Sequence, residues 1–150
     1  MGKVLQESLS NFSDRISDAV KAKKNILVTT HIDCDGITSG SIISKALIRY
    51  GAKCTVRTTN EFSENLVNRM QKETRDLHVI TDLGGGFGNL LNEKLSDNCM
   101  VLDHHEISED EHENELVINA WKFDCLLYTS PSPRDQRGSP MPGSGLKKKE

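Results

Sequence analysis

The chain has no Cys-x-x-Cys pair, no excess of basic charge and no apolar run near the ~20 residues that cross a bilayer. Its four cysteines, Cys34, Cys54, Cys99 and Cys125, are scattered. That argues against a zinc cluster or a disulfide frame and for reduced thiols in a cytoplasmic protein. The opening Met1-Gly2-Lys3-Val4-Leu5-Gln6-Glu7 lacks the apolar core of a signal peptide. Gln6 also removes the hydroxyl residue expected of a myristoylation site. No membrane partner is expected. Proline is absent from the first 130 residues: all four prolines, with three of the eleven glycines, lie beyond Ser130.

What is present suits one domain, since 150 residues can bury a real core. Apolar residues make up 35% and charged residues 27%, as in ordinary soluble proteins. The net charge of -3 is uneven. From Leu126 onward five Lys and Arg face only Asp135 and Glu150, so residues 1–125 carry -6. An acidic body argues against a broad basic face for nucleic acid. It leaves a nucleic-acid substrate open, because bound divalent cations would neutralise an acidic cleft. The stretch from Leu126 to Glu150 has no periodicity and is read as a disordered tail. It resembles translated sequencing-adapter segments on truncated reading frames, and is set apart as non-native from a domain spanning 1–125.

Within that domain, Leu5, Leu9, Phe12, Ile16 and Val20 recur at helical spacing and predict a helix over about 4–22. Further helices are expected at 37–50 (Ile42, Ile43, Ala46 and Leu47 inward), at 62–73, and around 90–95. Short runs of Val, Ile and Leu predict strands at 26–30, 53–57, 78–81, 99–102 and 116–118. Strands alternating with helices imply an α/β fold with a Rossmann-like, mostly parallel sheet and right-handed crossovers. Ligands in such sheets bind beyond the carboxyl ends of the strands.

Three of those ends carry chemistry. Ile26–Thr30 runs into His31-Ile32-Asp33-Cys34-Asp35-Gly36. Alternation in an extended segment would point His31, Asp33 and Asp35 at one spot. An aspartate there can simply cap the next helix, but two carboxylates and a histidine in alternation fit a metal site better. His78–Thr81 runs into Asp82, then Gly84-Gly85-Gly86. By itself Asp82 suits an Asx-turn. The glycines lack the spacing of a dinucleotide fingerprint, and instead suit close backbone approach to a ligand or metal. Cys99–Leu102 runs into Asp103-His104-His105. A lone histidine is usually structural; two behind an aspartate after an apolar strand are not easily filler. The acidic run from Glu106 to Glu115 reads as a solvated loop, with His112 a bystander.

In this order, His31-x-Asp33-x-Asp35-Gly36, Asp82 and Asp103-His104-His105 resemble motifs one to three of the DHH phosphoesterase family. The run from His31 to Gly40 resembles its RecJ-like archaeal nucleases associated with the replisome. Val117-Ile118-Asn119-Ala120-Trp121-Lys122-Phe123-Asp124 resembles the asparagine-tryptophan segment that follows in these nucleases, with Ala120 where proline is usual. The likeness covers about residues 24–124. It implies the N-terminal domain of a metal-dependent phosphodiester hydrolase, acting as an exonuclease on single-stranded DNA or RNA or on short oligonucleotides, with replisome proteins as partners. It implies two divalent cations, Mn2+ with Mg2+ as the alternative. By this resemblance His31 and Asp33 hold one ion, Asp35 and His104 the other, and Asp82 bridges both. His105 contacts the scissile phosphate, Asp103 supports the histidines, and Gly84 and Gly85 line the substrate. The family's fourth motif and second domain are not found, so the domain is read as incomplete and turnover is not expected of this chain alone. Two rivals stand beside it. Asp33-Cys34-Asp35-Gly36-Ile37 also resembles the opening motif of haloacid-dehalogenase-type phosphatases, and a non-catalytic replisome scaffold could share the fold.

Overall fold

The computed structural model of the protein describes residues 2–107 and 115–123. The elements run α1 (Gly2–Lys21), β1 (Asn25–His31), α2 (Cys34–Arg49), β2 (Lys53–Thr59), α3 (Glu64–Lys72), β3 (Leu77–Thr81), α4 (Gly88–Leu95), β4 (Cys99–Asp103) and β5 (Val117–Asn119). Short 3-10 turns at Gly85–Phe87, Ser96–Asn98 and Ala120–Phe123 complete the described chain. The five strands form one sheet in the order β2-β1-β3-β4-β5, and every pairing is parallel. The expected α/β architecture is therefore observed, with four helices flanking the sheet.

The sheet has a core on each face. Ile26, Val28, Leu77, Val79 and Met100 pack with Ala19 of α1 and Leu47 of α2. On the other face, Ile80, Cys99, Val101 and Val117 pack with Leu66, Val67 and Met70 of α3 and with Leu91 and Leu95 of α4. Strands covered on both sides must be apolar throughout, which is why β1 and β3 are nearly free of charged residues.

One expectation about packing fails. Ile42 and Ala46 of α2 face solvent, Ile42 at 63% exposure, while Gly36, Gly40 and Ser44 join Leu47 on the buried face. The reason is proximity. A Cβ on Gly36 would sit 2.5 Å from the His31 oxygen, and one on Gly40 would sit 2.7 Å from Thr30 Cγ2. The helix lies on β1 at backbone distance, so the absent side chains set its rotation and the isoleucines do not. The expected tail from Leu126, the 125/126 boundary, Asp124 and His112 lie outside the described residues.

Candidate metal centre

The carboxyl ends of β1, β3 and β4 lie side by side, with Thr30 paired to Thr81 and Thr81 to Leu102. A hydroxyl chain locks the base of the site. Thr81 Oγ1 donates to Thr30 Oγ1 (3.0 Å), which donates to the Gly36 oxygen (2.6 Å), and Ser39 Oγ also reaches Gly36 O at 3.0 Å. These links hold the turn after β1 against β3.

That turn is not extended to its end. Asp33 caps α2, its Oδ1 accepting from the Gly36 amide at 3.0 Å, and Asp35 already sits in the first helical turn. Strict strand alternation is thus not what aligns the three residues; the strand delivers His31, and the helix start delivers Asp35. Capping and ligation also prove compatible. While Oδ1 of Asp33 caps, its Oδ2 lies 2.7 Å from His31 Nδ1.

Asp82 stands at the centre. It follows β3 with φ +64, a left-handed conformation uncommon outside glycine, and its amide donates to the Leu102 oxygen at 2.8 Å. Its Oδ1 is 2.9 Å from His104 Nε2, and its Oδ2 is 3.9 Å from His31 Nδ1. Asp35 Oδ2 is 3.5 Å from the same His104 nitrogen. Donor atoms of His31, Asp33 and Asp82 lie within 4.8 Å of one another, as do those of Asp82, His104 and His105. One carboxylate belongs to both groups. Asp82 Oδ2 and His31 Nδ1 are buried without hydrogen-bond partners. Such atoms are costly unless something else meets them, and a cation does so for a carboxylate oxygen and an imidazole lone pair alike.

The β4 end is built differently. Asp103 is buried and its two oxygens are saturated. Oδ2 accepts from the Gly85 amide at 2.7 Å; Oδ1 accepts from the His104 and His105 amides and lies 2.8 Å from His105 Nδ1. Gly85 must be glycine, since a Cβ there would meet Asp103 Oδ2 at 2.7 Å and Asn119 Nδ2 at 2.9 Å. Gly84 before it sits at φ +88. The amide of Gly85 is thereby spent on Asp103.

Charge follows geometry. Burial, then repulsion from Asp35 and Asp33, pushes the Asp82 carboxyl up, against the pull of His104 and His105. Burial also opposes ionisation of Asp103, but its bonds to His105 and to the Gly85, His104 and His105 amides outweigh it and hold the carboxyl below its ordinary value. In Asp33 burial is outweighed by the Gly36 amide, Asp35 and His31, and the carboxyl again lies low. Burial lowers His105, yet its bond to Asp103 raises it further, so it holds its proton more tightly than usual. A carboxylate destabilised by its neighbours at the centre of the cluster is what a cation relieves.

All seven donor and support residues expected from the sequence thus meet at one rim of the sheet. Two contributors carried no sequence signal of their own, Asn60 and the Thr30–Thr81 hydroxyls, and Asn119 carried one only through the family resemblance. Asn60 accepts from His31 Nε2 through its main-chain oxygen at 3.2 Å. Asn119, fully buried, donates to the His105 oxygen at 3.0 Å. The Thr30–Thr81 hydroxyls are ordinary strand residues by pattern. A cleft of about 800 Å3 between α1 and the β4–β5 edge, lined by Phe12, Met100, Ile118 and Phe123 among others, contains none of these donors.

A model of the DHH family's N-terminal domain matches residues 25–131. The chain belongs to the DHH family. The dehalogenase-type alternative for Asp33-Cys34-Asp35-Gly36 falls with that match, and the gathering of His31, His104 and His105 around Asp82 is what it left unexplained. An uncharacterized protein of Methanocaldococcus jannaschii is 29% identical over 115 residues, covering 70% of this chain and 26% of its own length. The chain therefore spans about a quarter of that curated relative. Among solved structures, RecJ from Thermus thermophilus in complex with Mn2+ aligns at TM-score 0.60 and 24% identity, covering 78% of this chain and 17% of that one. An exonuclease RecJ bound to manganese aligns at TM-score 0.60 and 22% identity, covering 78% and 31%. At these identities the likeness is one of fold. No helix among the described residues is long and apolar enough to cross a membrane.

Proposed function

We propose that this DHH domain is the cation-binding part of a two-metal phosphodiester hydrolase, a RecJ-like exonuclease on single-stranded nucleic acid or short oligonucleotides. The observation that carries the reading is Asp82: one buried carboxylate shared by two donor groups, with an oxygen that no hydrogen bond meets. Carboxylates with imidazoles suit Mn2+, with Mg2+ as the alternative. His31 and Asp33 would hold one ion and Asp35 and His104 the other, with Asp82 reaching both. When bound, such a pair activates water and stabilises the attacking and leaving oxygens. The manganese in both RecJ structures supports this choice of ion.

The remaining work falls to the chain itself. Asp103 fixes the ring of His105 through Nδ1, so only Nε2 is left to face a scissile phosphate oxygen and donate to it. Gly84 and Gly85 are buried and the Gly85 amide is taken by Asp103, so the exposed Gly86 after them is where the loop's backbone would approach the substrate. Replisome proteins are the partner class of this reading. A non-catalytic scaffold has no use for a complete donor set, and the set is complete through the third motif.

Because the chain spans about a quarter of its archaeal relative, turnover is tested on a full-length form. End-labelled single strands with added manganese should lose nucleotides one at a time, and Asp82→Ala should abolish the loss while circular dichroism stays parental. Cleavage at the parental rate in that variant would remove the shared carboxylate from the mechanism.

A further inference from the structure

His31 has two ring nitrogens with different surroundings. Nε2 lies 3.2 Å from the main-chain oxygen of Asn60. A carbonyl can only accept, so this bond requires the hydrogen on Nε2, and in the neutral ring the lone pair is then on Nδ1. That Nδ1 is the buried atom without a hydrogen-bond partner, 2.7 Å from Asp33 Oδ2 and 3.9 Å from Asp82 Oδ2. At these distances something positive stands between Nδ1 and the carboxylates, a hydrogen in the metal-free chain or a cation that replaces it.

Asn60 opens the short connection between β2 and α3, and that connection is itself braced. Thr59 Oγ1 donates to the Glu61 oxygen at 2.8 Å. The ring of Phe62 meets Phe87 edge-on with centroids 5.1 Å apart, and lies so near Gly84 that a Cβ there would be 3.4 Å from it. Phe87 ends the turn whose Gly85 amide holds Asp103. The geometry points to the 60–63 loop as the positioning element of His31. Its Asn60 carbonyl selects the tautomer that makes Nδ1 the cation-facing atom, and Phe62 holds the loop in place against Phe87. A bond from an outer partner that fixes a ligating histidine's tautomer commonly matters 10- to 100-fold in affinity. This inference rests on the two-cation reading, to which it adds the ligating atom and its outer partner.

Long-range proton–nitrogen NMR of the whole chain, labelled at histidine nitrogens, reads both parts. Spectra are taken metal-free, above the ordinary histidine pKa, and then with Zn2+ as a diamagnetic probe. The expected result is a His31 ring protonated at Nε2 throughout, with its Nδ1 resonance moving on titration. A ring protonated at Nδ1 and not at Nε2, or coordination through Nε2 while His104 still responds, would overturn the positioning role and leave the two-cation reading standing. If no histidine responds to zinc, the two-cation reading fails and this inference fails with it. Phe62→Ala should weaken zinc binding at His31 about 10- to 100-fold and mix its tautomers, with the His104 response retained and Phe62→Tyr restoring both. Parental zinc affinity and tautomer at His31 in folded Phe62→Ala would remove Phe62 from the account. Should Phe62→Ala not fold, the tautomer of the parental chain decides.

Discussion

The two sides of the cluster are built on opposite plans. On the β4 side, Asp103 is almost inaccessible, its side chain 2% exposed, and both of its oxygens accept hydrogen bonds from within the protein. On the β1 side, the side chains of Asp33 and Asp35 are 45% and 62% exposed. One capping bond from Gly36 is the only main-chain hydrogen bond to the Asp33 side chain among the described contacts. The β4 side is held by its own hydrogen bonds; the β1 side keeps its oxygens more open to solvent. Asp82 stands between, buried like Asp103 but with one oxygen that no hydrogen bond meets.

The largest effect should come from that middle residue. Asp82→Asn keeps the size and the possible bond to His104 but removes the charge that both donor groups share. Manganese affinity, read by calorimetry, should fall more than about 100-fold for both ions, because a directly ligating carboxylate outweighs the 10- to 100-fold typical of outer partners. Stability of the metal-free chain should hold or rise, since burial and the repulsion of Asp35 and Asp33 disfavour the charged form of Asp82 in the folded state. Loss of one ion with the other retained would break the picture of a shared carboxylate.

Next in size is Asp103→Asn. An amide cannot accept at both ends, so either the Gly85 amide or the two histidine amides lose their acceptor in a buried site. Urea unfolding should show a loss of about 1–3 kcal/mol, the cost of a buried donor left unmet. The chemical consequence should be confined to the β4 side: His104 and His105 lose their fixed orientation while the His31 ring stays put. Equal disturbance of His31 would mean that the two sides are not separately built.

This contrast also marks how far the sequence could be read. The central strands were legible because burial on both faces leaves an unbroken apolar run, as in Ile26-Leu27-Val28 and Val79-Ile80. The donors were legible because each follows such a run directly, and parallel strands bring their ends to one rim. The helical phase of α2 was not legible: hydropathy favours Ile42, but contact with β1 is set by Gly36 and Gly40, whose contribution is absence. Nor was the start of α2, because Asp33 serves as cap and cluster member at once and the pattern treats those as alternatives. Asn60 acts through a main-chain oxygen, which no side-chain pattern encodes. Asn119 lay in the segment singled out by resemblance, but its partner is revealed only by the register that sets it beside Asp103.

A smaller effect separates capping from charge on the β1 side. Asp33→Ala removes the cap of α2 and should cost about 1 kcal/mol. Asp33→Asn caps about as well and should unfold within about 0.5 kcal/mol of the parent, yet both should weaken manganese binding through the loss of Oδ2 charge. If Asp33→Asn binds manganese like the parent, the aspartate is a cap alone.

The smallest effect is in acid, where the two plans should differ in degree. Asp103 and Asp33 are both held below the ordinary carboxylate value of 3.8. A group with a depressed folded pKa binds fewer protons folded than unfolded. Its stabilisation is present above the unfolded value and is lost as the pH falls through the folded one. Metal-free chain should therefore weaken as the pH drops below about 4. Asp103→Asn should flatten that decline, because a buried carboxylate with four hydrogens around it loses the most on protonation. Asp33→Asn should flatten it much less, since solvent screens the exposed carboxylate and its partners. Urea midpoints at several acid pH values test the order. A decline flattened more by Asp33→Asn than by Asp103→Asn would place the organised side of the cluster on β1 instead.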